Sequence, residues 1–371
     1  MIMLYRPFDP AMISANFKST PHDFIVEENM DITHSEEGEH LWLYVCKIGM
    51  NTAFVAELLA KWANIPLRDV GYSGLKDRHA KTYQWFSLRL PQKTLPETDP
   101  LSIITPHLHN GEALAIIRQH WHHKKLGRGT HKSNTFTITL NNVIGDKNTI
   151  EAQLSLIAKI GVPNYFGQQR FGINDNNIHK TKQFFEKILA SHRPYKPSKK
   201  DINRHSLYIS TAKSLIFNAL LSQRVKLNNW DKAVKGDVFN LDGTNSIFCT
   251  SIDEEIICRV QQKDIHPTAP LFGAGEIKNS DESWAIYQTT LNQPSFEVFK
   301  QGLLKVGTKL TYRPLRLHPQ NLSWQWHDGS LTLRFCLPSG TFATSVLFAL
   351  CDTLHDKHDR HLETHSPTNF S

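Results

Sequence analysis

The residues Gly71-Tyr72-Ser73-Gly74-Leu75-Lys76-Asp77-Arg78-His79-Ala80-Lys81-Thr82 set one carboxylate among four cationic or titratable side chains and punctuate it with two glycines. Glycines let a backbone turn sharply. Lys76, Arg78, His79 and Lys81 would hold Asp77 ionised and draw phosphates towards it. An ionised carboxylate in such a place can act as a nucleophile or as a base. The same composition also describes a solvated turn with a surface ion pair, and residue types alone leave both readings open. The run is not a phosphate loop, because the GxxxxGK[ST] spacing is absent.

A second candidate lies downstream. No acidic residue occurs between Glu112 and Asp146, whereas Arg118, Lys124, Lys125, Arg128 and Lys132 fall there beside Trp121 and four histidines. Cations interleaved with an aromatic suit a nucleic-acid surface, and they equally suit an ordinary basic face. His120, His122 and His123 lack the carboxylate neighbours that a metal-dependent nuclease would need, so no metal site is expected. A third basic stretch, Arg193, Lys196, Lys199, Lys200 and Arg204, reads as a solvated loop in preference to a phosphate contact.

These residues need elements to hold them. Leu41, Leu43 and Val45 alternate with Trp42, Tyr44 and Cys46 as in a strand. Asn51-Thr52 then opens a helix with Val55, Leu58, Leu59 and Trp62 on one face, ended before Pro66. After the glycine-punctuated turn, Tyr83 to Leu90 alternates again, so the candidate loop is held between a helix and a strand. Strands are expected at Ala113 to His120, Thr135 to Leu140 and Leu331 to Leu337. A helix over Thr149 to Ile160 stops at Gly161, the first expected domain boundary. A further amphipathic helix turns Ala212, Leu215, Ile216, Ala219 and Leu220 inward, and a short helix starts near Thr344. The pattern is that of an α+β fold. Asp352 to Ser371 is polar and His-rich, and a flexible tail is expected there.

The chain has 371 residues, enough for two domains, and a net charge of +7 that favours a polyanionic partner. The N-terminus lacks the charged start and apolar run of a signal peptide, and no stretch approaches a membrane span. Five scattered cysteines without a CxxC pair suit free thiols in a reducing cytoplasm. GxSxG, HExxH, Walker and dinucleotide fingerprints are absent, which leaves hydrolase, zinc-protease and Rossmann readings without their residues.

The loop Gly71 to Thr82 followed by Gln84-Trp85-Phe86 resembles the signature of the TruD family of tRNA pseudouridine synthases. Other pieces match in order: Asp23-Phe24-Ile25-Val26-Glu27-Glu28, Lys125-Leu126 through Asn134-Thr135-Phe136, and the long Val162-Pro163-Asn164-Tyr165-Phe166-Gly167-Gln168-Gln169-Arg170-Phe171-Gly172. Ser210 to Asn218, Pro267 to Leu271 and Leu337 to Ser345 extend the likeness over about Asp23 to Leu350. Gly127 and Ser133 depart from the family's usual cation and glycine.

The resemblance implies a pseudouridine-synthase catalytic core with a mixed, largely antiparallel sheet and flanking helices. It would be built from residues 1–160 and 310–352, with an inserted α/β domain at 161–309 and a tail at 353–371. It implies isomerisation of uridine at position 13 in the D arm of tRNA, with no cofactor and no metal. Asp77 would be the catalytic aspartate, acting on the ribose, on the base, or as a base. Phe24, Asn134, Phe136 and Phe342 would contact the flipped nucleotide, with Phe136 stacking on it. Lys76 would orient or neutralise Asp77, and Glu28 would position a neighbouring cation. Arg78, His79, Lys124, Lys125, Arg128 and Lys132 are expected on the RNA backbone. The competing reading is a non-catalytic RNA-binding or RNA-folding protein that uses the same basic cleft.

Overall fold

The structure is a computed structural model that describes residues 3–30, 37–127 and 129–356. It divides into two compact units.

One unit comprises Met12–Gly145 and Pro319–Gly340, with the chain from Thr353 onward. Its frame is a mixed sheet. Strands β1 (Met12–Phe17), β2 (Phe24–Asn29), β3 (His40–Ile48), β4 (Val70–Tyr72), β5 (Lys81–Arg89), β6 (Ala113–His122) and β7 (Ser133–Gly145) belong to it, with the hairpin Gln320–His327 and Ser330–Pro338. The order through the sheet runs from that hairpin to β7, β2, β5, β3 and β6. Among the described pairings of this path only β2 with β5 is parallel. The sheet is thus mixed and largely antiparallel.

Period-two patterning sets its register. Phe136, Ile138 and Leu140 of β7 are buried, while Thr135, Thr137 and Thr139 face the half-open side. Phe136 therefore lies opposite Val26 on one side and Phe335 on the other. The helix α1 (Thr52–Trp62) packs Val55, Leu58 and Leu59 against Leu41, Leu43, Val45, Phe86 and Leu88. It starts after Asn51, as the sequence predicts.

The second unit comprises the chain to Ala11, Asp146–His318 and Thr341–Asp352. A helix of Ile202–Lys226 runs through its core, with the helices Asn176–Leu189, Asp281–Leu291 and Glu297–Lys305 against it or each other. A four-stranded antiparallel sheet of Val238–Leu241, Ile247–Cys249, Ile265–Leu271 and Thr311–Pro314 completes it. The long helix differs from its sequence reading. From Thr211 to Val225 it buries Ser214, Phe217, Asn218, Leu221 and Ser222 as well as the expected apolar stripe, so that stretch is a core helix and not an amphipathic one. It also begins at Ile202, inside the stretch read as a loop.

The helix Lys147–Ile160 groups with the residues that follow it, so the first join falls at Asp146 and not at Gly161. The reason is local: Ala158 O is bonded by His318 Nε2 at 2.9 Å, and Val162-Pro163 pairs with Arg316-Leu317. Gly161 closes that helix at φ +85°, and a Cβ there would stand 2.6 Å from Leu317 O. Gly161→Ala should therefore lower stability by about 2 kcal/mol and the thermal midpoint by roughly 4–8 °C in a melting experiment. An unchanged midpoint would contradict this close approach. Of the segment expected as a tail, residues up to Asp356 form a strand, Cys351–Asp356; residues 357–371 lie outside the described ones.

Candidate active site

The loop between β4 and β5 is pinned from beneath. Lys76 N–H donates to Thr52 Oγ1 (3.0 Å) at the start of α1, Thr52 donates to Gln84 Oε1 (2.8 Å), and Gln84 Nε2 donates to Gly74 O (3.2 Å). Gly71 has no room for a side chain, because a Cβ would stand 2.4 Å from Leu126 O. The basic run around Leu126 thus lies directly over the first turn of the loop, and Gly129 N–H donates to Ser73 O at 2.7 Å.

Asp77 sits at the far end of this loop. Its Oδ1 accepts the His79 N–H (2.9 Å) and its Oδ2 accepts from Lys18 Nζ (2.5 Å). Its side chain remains 24% exposed, while that of Lys18 is only 4% exposed. Burial works to raise the Asp77 pKa, but the charge and hydrogen bond of Lys18, with the His79 amide and charge, outweigh it and hold the carboxyl below its ordinary value. Lys47, fully buried, donates from Nζ to Asp77 O (3.0 Å) and Met50 O (2.6 Å). Burial and the Lys76 charge lower its pKa to about 8 against the pull of Asp77. The backbone of the aspartate is therefore anchored separately from its carboxylate.

Lys76, expected on Asp77, turns the other way. Its Nζ donates to Glu28 Oε1 (2.9 Å) in a pair whose side chains are 6% and 0% exposed. Glu28 also accepts from Ser73 Oγ and from the Trp85 N–H (2.9 Å). The cation that meets Asp77 is Lys18, for which the sequence carries no signal: a lone lysine after a short strand, 59 residues from its partner. It adopts φ +53°, a conformation that is uncommon for a non-glycine residue and worth attention near a reactive group.

Beside this pair lie aromatic rings. The Lys18 ammonium stands 4.5 Å from the Phe24 ring centroid and 5.0 Å from that of Phe17. Phe24 and Phe136 have centroids 6.1 Å apart, and Phe136 and Phe335 5.7 Å. Phe24 and Phe136 are 7% and 8% exposed, so a base would meet them over a narrow area. Asn134 follows on the same face of β7. Its Nδ2 lies 3.3 Å from His131 Nε2.

Phe342 belongs to the second unit. There it packs against Phe166 (5.8 Å) with the Arg170 guanidinium 6.0 Å from its centroid. Asn218 bonds both the amide and the carbonyl of Phe166 (2.9 Å each), tying the helix stretch Ser210 to Asn218 to the longest of the recognised motifs. Arg313 stands 4.1 Å from the Phe166 centroid and donates to Asn164 Oδ1 at 2.6 Å. Residue types and spacing single out neither this arginine nor Arg170.

Among the expected backbone contacts, Arg78 is half open and bonded to Gly49 O (3.1 Å) and Glu112 Oε1 (3.4 Å). His79, Lys124 and Lys132 are exposed. Lys125 is exposed too, but its Nζ donates to Arg68 O. Arg128 lies outside the described residues. Among the described residues no helix is long and apolar enough to cross a membrane.

Comparison with known proteins identifies the family. The family model of tRNA pseudouridine synthase D (TruD) matches residues 3–185 and 182–349. A tRNA pseudouridine synthase D of Psychrobacter arcticus is 42% identical, over 95% of this chain and 94% of that protein. One from Xanthomonas oryzae pv. oryzae is 39% identical, over 94% of each. The crystal structure of a Methanosarcina mazei chain assigned as tRNA pseudouridine synthase D superposes with a TM-score of 0.67 at 21% identity, over 94% of this chain and 95% of that one, and shares the fold. With matches of this extent, the chain belongs to the tRNA pseudouridine synthase D (TruD) family.

Proposed function

We propose that the protein isomerises uridine to pseudouridine in tRNA, at position 13 of the D arm, with Asp77 as the catalytic carboxylate. The observation that carries the reading is an aspartate held ionised by a buried lysine, its carboxylate partly open, next to paired phenylalanines. The relatives' names supply the reaction. It breaks the bond from ribose C1′ to uracil N1, turns the base, and joins C1′ to C5. The C5 proton leaves, N1 gains one, and no co-reactant is consumed.

Each residue has a task. Asp77 attacks the ribose or the base, or removes a ribose proton. Lys18 keeps it ionised and fixes one oxygen, while Lys47 and the His79 amide fix the rest of the residue. The target uridine leaves its stack at a cost of a few kcal/mol and is received by Phe24, Phe136 and Asn134, with Phe136 as the stacking ring. Lys76 and Glu28 brace the loop from behind. Arg78, His79, Lys124, Lys125 and Lys132 approach phosphates, and the unit that contains Asp146–His318 adds grip on the tRNA. No cofactor or metal takes part, and the work is done in the cytoplasm.

Carbodiimide mapping of tRNA incubated with the protein should place a new primer-extension stop at position 13. Tight tRNA binding without a stop would favour the non-catalytic RNA-binding reading instead.

A further inference from the structure

His131 belongs to no motif of the loop, yet it is 8% exposed and stands between two residues of the site. On one side its Nε2 is 3.3 Å from Asn134 Nδ2. On the other its Nδ1 is 3.7 Å from Glu28 Oε1, outside hydrogen-bond range. The Asp77 loop covers the ring, with a Cβ on Gly74 coming within 3.4 Å of Cε1. Asn134 Oδ1 is buried and has no hydrogen-bond partner among the described residues.

The tautomer follows from charge. Glu28 presents an anion to the Nδ1 side, its oxygens taken up by Ser73, Lys76 and the Trp85 amide. A lone pair at Nδ1 would face that anion, whereas a proton there is attracted to it. The ring proton therefore sits on Nδ1 and Nε2 is the acceptor. An acceptor at Nε2 requires the amide nitrogen of Asn134 to face it, which turns Oδ1 away from the histidine. A buried carbonyl without a donor is costly. Uracil brings a donor at N3, where cytosine brings a lone pair.

We propose that His131 is a positioning residue that turns the Asn134 amide so that its carbonyl accepts the N3–H of the target uracil, making the choice of uracil a property of the Glu28–His131–Asn134 relay. The proposal rests on Asn134 contacting the target nucleotide. Protonation reverses the relay: an imidazolium offers no acceptor at Nε2, and the amide must turn over. Burial and the Lys76 charge hold the His131 pKa below its ordinary value against the pull of Glu28, so the ring is neutral at pH 7 and charges only in acid. Neither Asp77 nor Lys47 mimics that step. Asp77, bound by Lys18, is held below the ordinary carboxylate range, and Lys47 titrates near 8.

The test measures tritium release from C5-labelled tRNA between pH 5 and 8.5 for wild type, His131→Leu and His131→Gln, with tRNA affinity measured for each. Leucine removes the acceptor; glutamine offers a carbonyl in its place and does not titrate. Expected are a loss of about tenfold to a hundredfold in kcat/KM for His131→Leu with affinity within about twofold, and near wild-type activity at pH 7.5 for His131→Gln without the wild-type decline in acid. In an Asp77→Asn background, tRNA with 3-deazauridine at the target should bind more weakly than uridine tRNA, and His131→Leu should erase the difference. The proposal is overturned by a leucine variant as active as wild type, by a glutamine variant with the wild-type acid decline, or by equal binding of the two tRNAs before His131 is changed. If the leucine variant fails to fold, the glutamine profile decides. A wild type inactive on every tRNA would instead tell against the proposed function.

Discussion

Asp77→Ala should abolish pseudouridine formation, by at least about ten-thousandfold in kcat/KM, and leave tRNA affinity equal or slightly higher. Asp77 carries the loop's one carboxylate, held ionised and partly open, and removing a reacting group costs more than removing one that only holds it. Affinity holds because the lost charge is negative and the phosphates of tRNA are negative too. Asp77→Asn separates chemistry from packing: it keeps the size of the side chain and one acceptor, for Lys18 Nζ or the His79 amide, while losing the charge. Both variants should be inactive in the tritium-release assay, and Asp77→Ala should melt lower because it strands the Lys18 ammonium, 4% exposed, without its partner. Residual activity in Asp77→Asn above about one per cent of wild type would mean that another group carries the reaction.

The parts of this site that could be read from sequence are those that are contiguous. Asp77 stands out because its cations and glycines adjoin it, and α1 and β5 on either side carry apolar residues at periodic positions. What could not be read are the pairings made across the fold. Lys76 adjoins Asp77 in the chain, and that suggested a pair. Successive side chains of an extended backbone point to opposite sides, however, and Lys76 goes to Glu28 on β2 while Lys18 reaches Asp77 from the turn after β1. The left-handed conformation of Lys18 that aims it inward has no signature in residue type. His131 was hidden for the same reason: among four histidines of a basic run, only the structure shows which one is buried between a carboxylate and an amide. The long core helix is not legible as such, because residue type does not show that its polar positions Ser214, Asn218 and Ser222 are buried. Two of them bond to backbone instead, Asn218 at the buried Phe166 and Ser222 at Met3 and Tyr5.

The second large effect belongs to Lys18. In the native site, burial alone would push the Asp77 pKa up, and the charge and hydrogen bond of Lys18 do most to reverse it. Lys18→Met keeps the length of the side chain and its packing on Phe17 and Phe24 but removes the charge. The Asp77 pKa should then rise above its ordinary value, and activity at pH 7 should fall by about a hundredfold to a thousandfold. The pH profile carries the diagnosis. Wild-type Asp77 is ionised throughout the neutral and mildly acid range, so it contributes no acid limb there. In Lys18→Met a further acid limb, beside the one that His131 gives the wild type, should enter the measured range, with activity rising as pH rises. Stability should move in the opposite sense. With its folded pKa depressed, the native carboxyl adds stability that is present above its unfolded pKa and lost as pH falls through the folded one. In the variant the raised pKa makes the ionised, unpaired carboxylate a cost that grows as pH rises, so its melting temperature relative to wild type should be highest in acid and lowest above neutrality. A Lys18→Met enzyme that is merely slower, with a wild-type pH profile and a constant stability difference across pH, would show that Lys18 packs against the phenylalanines without controlling the charge on Asp77.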